Sequence, residues 1–263
     1  MSSGDVYETT GDFDQLPPVS GHAYDSKISL RTTEKMTPQM QSAVLGRILW
    51  HQFTTVVLLR QNMRQKEQTE LDAKLRTALE NMRYGACTDD DIEFLGTRTA
   101  SDRPGHPHLD IKKYRNVSVI TGLNIHKDLI NDEGVRQFAR DTGQELIEFY
   151  SIDKLSSQVV DRHNSLLSLT WEQVMVLPNF ATTDYASQGK SRNPNVVHLN
   201  NSKNHHNYYV ALSQGYTAEG TAIIQGFDPK KITSGISGHL RQEFRELELL
   251  DEITRLRYEN QEE

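Results

Sequence analysis

The chain of 263 residues is 36% hydrophobic and 25% charged, carries a formal net charge of −7 at neutral pH and contains one cysteine, Cys87. These values exclude a disulfide within the chain, a thiol-rich zinc site and an unspecific cationic coat for nucleic acid, which needs clustered Lys and Arg. No apolar run approaches the ~20 residues of a bilayer-spanning helix, and no basic-then-apolar leader opens the chain, so the expectation is an intracellular protein of one large or two small domains with no membrane partner.

Residues 1–36 are rich in Ser, Thr, Gly and Asp, contain Pro17-Pro18 and show neither a two-residue nor a 3.6-residue apolar period, which predicts loop or disorder. Thr37-Pro38 then supplies an N-cap and a first helical position for a helix through Val44, Ile48 and Leu49. The apolar run Val56, Val57, Leu58 and Leu59 predicts a buried strand over 54–59. Thr69 opens an amphipathic helix with Leu71, Leu75, Leu79 and Met82, and Thr88 before Asp89, Asp90 and Asp91 caps a short helix ending near Arg98. A loop over 99–114, a strand over 117–121, a helix over 124–142 stopped by Gly143 and a strand over 145–152 follow. Periodicity fades over 154–169. Strands are predicted again at 171–177, 196–199 and 221–225, a helix at 205–214, and a long C-terminal helix carrying Leu240, Phe244, Leu247, Leu250, Ile253 and Leu256. Alternating strands and helices predict an α/β fold, a parallel sheet flanked by helices.

Charge is unevenly spread. Between Ala186 and Thr217 there is no acidic residue, whereas Lys190, Arg192, Lys203, His198, His205 and His206 lie inside that stretch. The tail from Arg241 to Glu263 has eight acidic and four basic residues and reads as a solvated helical face. His106 with His108, and His205 with His206, are not spaced to present two imidazoles on one helix face, so no metal site is expected.

Gly189-Lys190-Ser191 is the one Gly-Lys-Ser in the chain, but Asp184 stands where a phosphate-cradling loop needs its first glycine, and a carboxylate there repels phosphate. No complete Walker A loop occurs. Four stretches carry the strongest signal: Gly-Asp-Phe-Asp-Gln-Leu-Pro-Pro-Val at 11–19, Gln61-Asn62-Met63-Arg64-Gln65, Ser187-Gln188-Gly189-Lys190-Ser191 and Tyr209-Val210-Ala211-Leu212-Ser213. In this order they resemble superfamily 1 DNA helicases of the Pif/RecD-like group, and most closely the helicase portion of Helitron-type transposons. Leu79-Glu80-Asn81-Met82-Arg83-Tyr84-Gly85, the run from Thr182 to Lys190 and Gln225-Gly226-Phe227-Asp228-Pro229-Lys230-Lys231-Ile232 are similar to that family too, so the resemblance covers most of 11–258.

The resemblance implies a RecA-like P-loop NTPase-type lobe, nuclear or cytoplasmic, that works with ATP and Mg²⁺ on single-stranded DNA. It implies a truncated chain: 1–36 as a remnant of the first motor lobe, 37–258 as the second lobe lacking most of its SH3-like insertion near 160–170, and 259–263 as a tail. Arg64 is the residue the family directs at the γ-phosphate, Gln15 lies in the γ-phosphate-sensing motif, and both act only if a first lobe is supplied. Gln214 stands where the family has a second arginine finger, and an amide supplies no charge. Ser187, Gln188, Gly189, Lys190 and Ser191 match the motif that touches the single-strand backbone; Arg192 adds charge, and Tyr208 or Tyr209 offers a face for a base. Three readings stay open: an ATP-dependent helicase remnant that pairs with an intact helicase or a separate first lobe, a catalytically inert module for single-stranded DNA, and a decayed transposon product.

Overall fold

Leu75, Ala78, Leu79 and Met82 fall at helical spacing and are buried, and they set the layer on which the rest of the chain is built. The structure, a computed structural model, describes residues 11, 12, 15, 16, 38–60, 62, 64, 69–110, 112–149, 152–156, 168–172 and 176–260. Its helices are α1 Pro38–Trp50, α2 Glu70–Arg83, α3 Asp89–Thr97, α4 Asn124–Thr142, α5 Asp184–Ser187, α6 His205–Ser213, α7 Lys230–Thr233 and α8 Gly238–Glu259. Its strands are β1 Val119–Thr121, β2 Ile152–Ser156, β3 Ser168–Glu172, β4 Ala181–Thr183, β5 Asn195–His198 and β6 Thr221–Ile223.

Four of the strands make one parallel sheet in the order β4-β1-β5-β6. The α/β class and the parallel sheet flanked by helices are thus as the sequence predicts. The main core lies between the sheet and α2, α3 and α6, where Leu95, Ile120, Val197, Tyr208, Leu212 and Ile223 join the α2 residues. Buried polar groups lock these layers. The Asp72 carboxylate accepts from the Ala218 N–H at 2.7 Å, and the Asn195 side-chain amide donates to the Ala211 carbonyl at 3.0 Å.

The local caps explain where the helices begin and end. The Thr69 hydroxyl accepts from the Asp72 N–H, Thr88 and Asp91 form a reciprocal capping box, and Gly143 closes α4 at φ 66°. These three helices match the sequence expectation closely.

Three predicted strands do not. Residues 54–59 form no strand: the N–H groups of Val56 and Leu58 donate to Thr254 Oγ1 and Asp251 Oδ1 of α8, at 3.1 and 2.8 Å, in place of a sheet neighbour. Val57 and Leu59 are 70% and 93% exposed, so this run is not buried. Residues 144–149 are likewise without regular structure, and the strand begins only at Ile152. The strand expected at 171–177 is β3, ending at Glu172 and pairing antiparallel with β2 outside the main sheet. The predicted loop at 99–114 holds, with a 3-10 turn at Lys112–Tyr114. β4, α5 and α7 were not expected, and α8 continues through Glu259, the first residue assigned to the tail. Most of the 160–170 junction and most of 1–36 lie outside the described residues.

Candidate nucleic-acid interface

The β4–α5 turn is built by Thr183, whose hydroxyl accepts from the Ala186 N–H, and by Asp184, which is buried and accepts from the Tyr185 N–H at 2.8 Å and from the Asn207 side-chain amide. This fixes the following loop. Gln188 ends the helix, the Lys190 N–H donates to the Ser187 carbonyl at 3.2 Å, and Gly189 adopts φ 73° with open space where a Cβ would stand. Gly189, Lys190 and Ser191 are exposed. Ser187 is fully buried, its hydroxyl donating to the Asp184 carbonyl at 2.7 Å, so it supports the turn from within.

Arg64 reaches this loop from 127 positions earlier in the chain. Its Nε donates to Ser191 Oγ at 3.1 Å and its NH1 donates to the Ser213 carbonyl at the end of α6. Burial draws the guanidinium below its ordinary pKa, partly offset by Tyr209, yet an arginine remains charged at any working pH. Among the described residues no carboxylate pairs with Arg64. With two of five N–H groups engaged, a guanidinium keeps donors for an anionic group.

Gln214, next along, is buried; its Nε2 donates to the Val210 carbonyl at 2.7 Å and its Oε1 has no partner among the described residues. It caps α6 and holds the β5 approach through its carbonyl, which accepts from the Arg192 N–H at 2.8 Å. Arg192 itself donates to the Ser118 carbonyl at 2.7 Å, and burial lowers its pKa. Tyr208 is buried in the core with its hydroxyl accepting from the Asp228 N–H, whereas Tyr209 is half-buried under the Arg83 guanidinium, 5.7 Å from the ring centroid.

Gln15 is exposed, with its N–H donating to the Asp12 carbonyl at 3.1 Å. Its neighbours tie the 11–16 segment to the loop: Gln188 Nε2 donates to the Leu16 carbonyl at 3.4 Å, and Asp12 pairs with Arg83 at 3.2 Å. Arg83 also donates to the Tyr209 hydroxyl at 3.3 Å. Asp12 and Arg83 lie in two of the helicase-like stretches, but sequence reasoning gave neither a site role, because their pairing spans 71 positions and leaves no local signal.

The carboxyl edge of the sheet offers a second polar group of residues, which the rule that α/β sheets bind ligands beyond their strand ends could have found. Thr121 ends β1 fully buried, and its hydroxyl has no partner among the described residues. His126 in the first turn of α4 lies 5.0 Å from His198 at the end of β5, ring centroid to centroid. Burial first, then His126, lowers the His198 pKa, against a hydrogen bond with the Gln225 side chain that raises it.

Among the described residues no cradle for the phosphates of ATP is formed. α5 has only four residues and its first carboxylate is turned inward onto Asn207, so the Gly-Lys-Ser loop makes no phosphate cradle. Among the described residues no three His, Cys, Asp or Glu side chains converge to hold a metal ion. The lone Cys87 thiol is pushed up to about 12, by burial first and then Asp91, and is not a nucleophile.

Among solved structures, the chain is similar to the Pif1 helicase of Candida albicans, with a TM-score of 0.52 and 16% identity over 89% of this chain and 67% of that one. A Bacteroides Pif1 helicase in complex with ADP-AlF3 and ssDNA gives a TM-score of 0.53 and 16% identity over 90% of this chain and 65% of that one. The fold is RecA-like, of the kind those helicases carry. This chain therefore spans about two thirds of their length. No protein-family model matches it, and no curated protein does.

Proposed function

We propose that the chain is the second-lobe part of a Pif1-like DNA helicase of Helitron type, and that by itself it binds the backbone of single-stranded DNA without turning over ATP. The observation that carries this reading is the convergence of Arg64, the exposed Gly189-Lys190-Ser191 loop and the end of α6, held by Arg64 bonds to Ser191 and Ser213. A charge that pairs with no carboxylate among the described residues, a glycine that permits close approach and a serine hydroxyl are the chemistry of backbone phosphate contact. Lys190 adds charge from solvent, and Tyr209 offers an aromatic edge for a base.

In this reading Arg64 supplies charge to a transferring phosphate only across a cleft that another lobe completes, and Gln15 reports to that lobe. The missing cradle and the Gln214 amide remove ATP hydrolysis from the isolated chain. The test is DNA binding and ATP turnover measured on the same preparation. Binding that weakens with salt, with no DNA-stimulated turnover above an Arg64→Ala control, is expected. DNA-stimulated hydrolysis lost in that control would refute the inert-module part, and absence of any binding would refute the rest.

A further inference from the structure

We propose that residues 54–59 are a pairing edge through which two copies of this chain join in antiparallel register about Val57. The run Thr54-Thr55-Val56-Val57-Leu58-Leu59 is uncharged and rich in β-branched residues, the composition of a strand, yet it pairs with no sheet among the described residues. Its even-numbered side is taken: Val56 and Leu58 donate their N–H groups to Thr254 and Asp251 of α8, and both side chains are half-buried. Its odd-numbered side is open among the described residues. The N–H groups of Thr55, Val57 and Leu59 have no partner among the described residues, and Val57 and Leu59 are 70% and 93% exposed. The anchoring is firm, because Arg60 pairs with Asp251 at 2.8 Å and Trp50 Nε1 donates to Glu243 at 2.7 Å.

An open edge of this kind is ordinarily protected by Lys, Pro or a bulge. None stands within 54–59. A second copy fits it for a reason of register. Antiparallel pairing about a dyad at Val57 sets Val57 opposite Val57 and Thr55 opposite Leu59, so every residue on the open edge meets another residue of an open edge. The first charged residue, Arg60, then lies opposite the neutral Thr54, and no like charges oppose each other. α1, which leads directly into this segment, exposes Leu45, Ile48 and Leu49 at 58%, 54% and 51%, apolar area of the kind a homodimer covers.

Sedimentation velocity of the full chain from low to high micromolar concentration tests the proposal, with amide hydrogen exchange at both ends of the range. A concentration-dependent dimer is expected, together with slowed exchange at Val57 and Leu59. Val57→Lys sets two ammonium groups face to face at the dyad and Leu59→Asp places a carboxylate on the open edge; each should give a monomer with unchanged circular dichroism. A wild-type chain that stays monomeric throughout overturns the proposal. So does a dimer that survives both substitutions, a dimer that leaves the Val57 and Leu59 amides unprotected, or protection of those amides that arises only on adding a different protein.

Discussion

α2 and α4 lie in the same α/β fold, but they are held by different means. α2 buries Asp72, Leu75, Ala78, Leu79 and Met82, whereas α4, with 19 residues, buries none. α4 is held by close backbone approach and polar contact: Asn131 exchanges hydrogen bonds with the backbone of Ala181 at 2.8 and 3.2 Å, and Gly134 sits against Phe180, where an added Cβ would lie 2.5 Å from the ring. One side of the sheet is therefore a packed core and the other a thin cover, with Ile125 and Leu129 left 72% and 67% exposed. Stability should reside with the first, and tolerance to change with the second.

Truncating the core side tests the contrast most severely. Met82→Ala, at a fully buried position, should cost about 2–5 kcal/mol in urea unfolding; a loss below about 1 kcal/mol would mean the α2 layer is not the core. Gly134→Ala should come next, because overpacking against Phe180 costs about 1–3 kcal/mol and outweighs the gain in helix propensity of about 1 kcal/mol. A stabilised Gly134→Ala would show that α4 stands farther from β4 than this packing allows. Thr88→Ala removes the α3 capping box and should cost about 1 kcal/mol.

A smaller effect concerns pH. Burial, then His206, lowers His205 from its ordinary 6.5 to about 4. The folded state thus disfavours the protonated ring, so stability is fully present above about 6.5 and falls as pH drops toward about 4. His205→Gln should flatten that slope in unfolding midpoints measured across the window; an unchanged slope would assign it to other groups. Smallest of all, Leu129→Ala on the α4 side should shift stability by no more than about 0.5 kcal/mol.

The same division decides what the sequence could reveal. α2, α3 and α4 are legible because Thr69, Thr88 and Gly143 act within a few residues of themselves. The run at 54–59 misleads because an apolar stretch states only a preference for a partner, and here α8 supplies side-chain acceptors instead of a strand. β4 is three residues long, too short to show a period, and its place beside β1 is set by parallel pairing across 62 positions, Val119 with Ala181. In the candidate interface, family-like motifs point to Arg64 and the 188–191 loop, but sequence could not show that Ser187 turns inward or that Arg83 bridges Asp12 and Tyr209.

The most direct measurement is the salt dependence of single-stranded DNA binding, by fluorescence anisotropy, for the wild-type chain and Arg64→Ala. The account predicts weak binding whose log–log slope falls by roughly 0.7, one phosphate contact, when the arginine is removed. An identical slope and affinity in both proteins would contradict it, because the convergence of Arg64 on the Ser191 loop would then have no bearing on DNA.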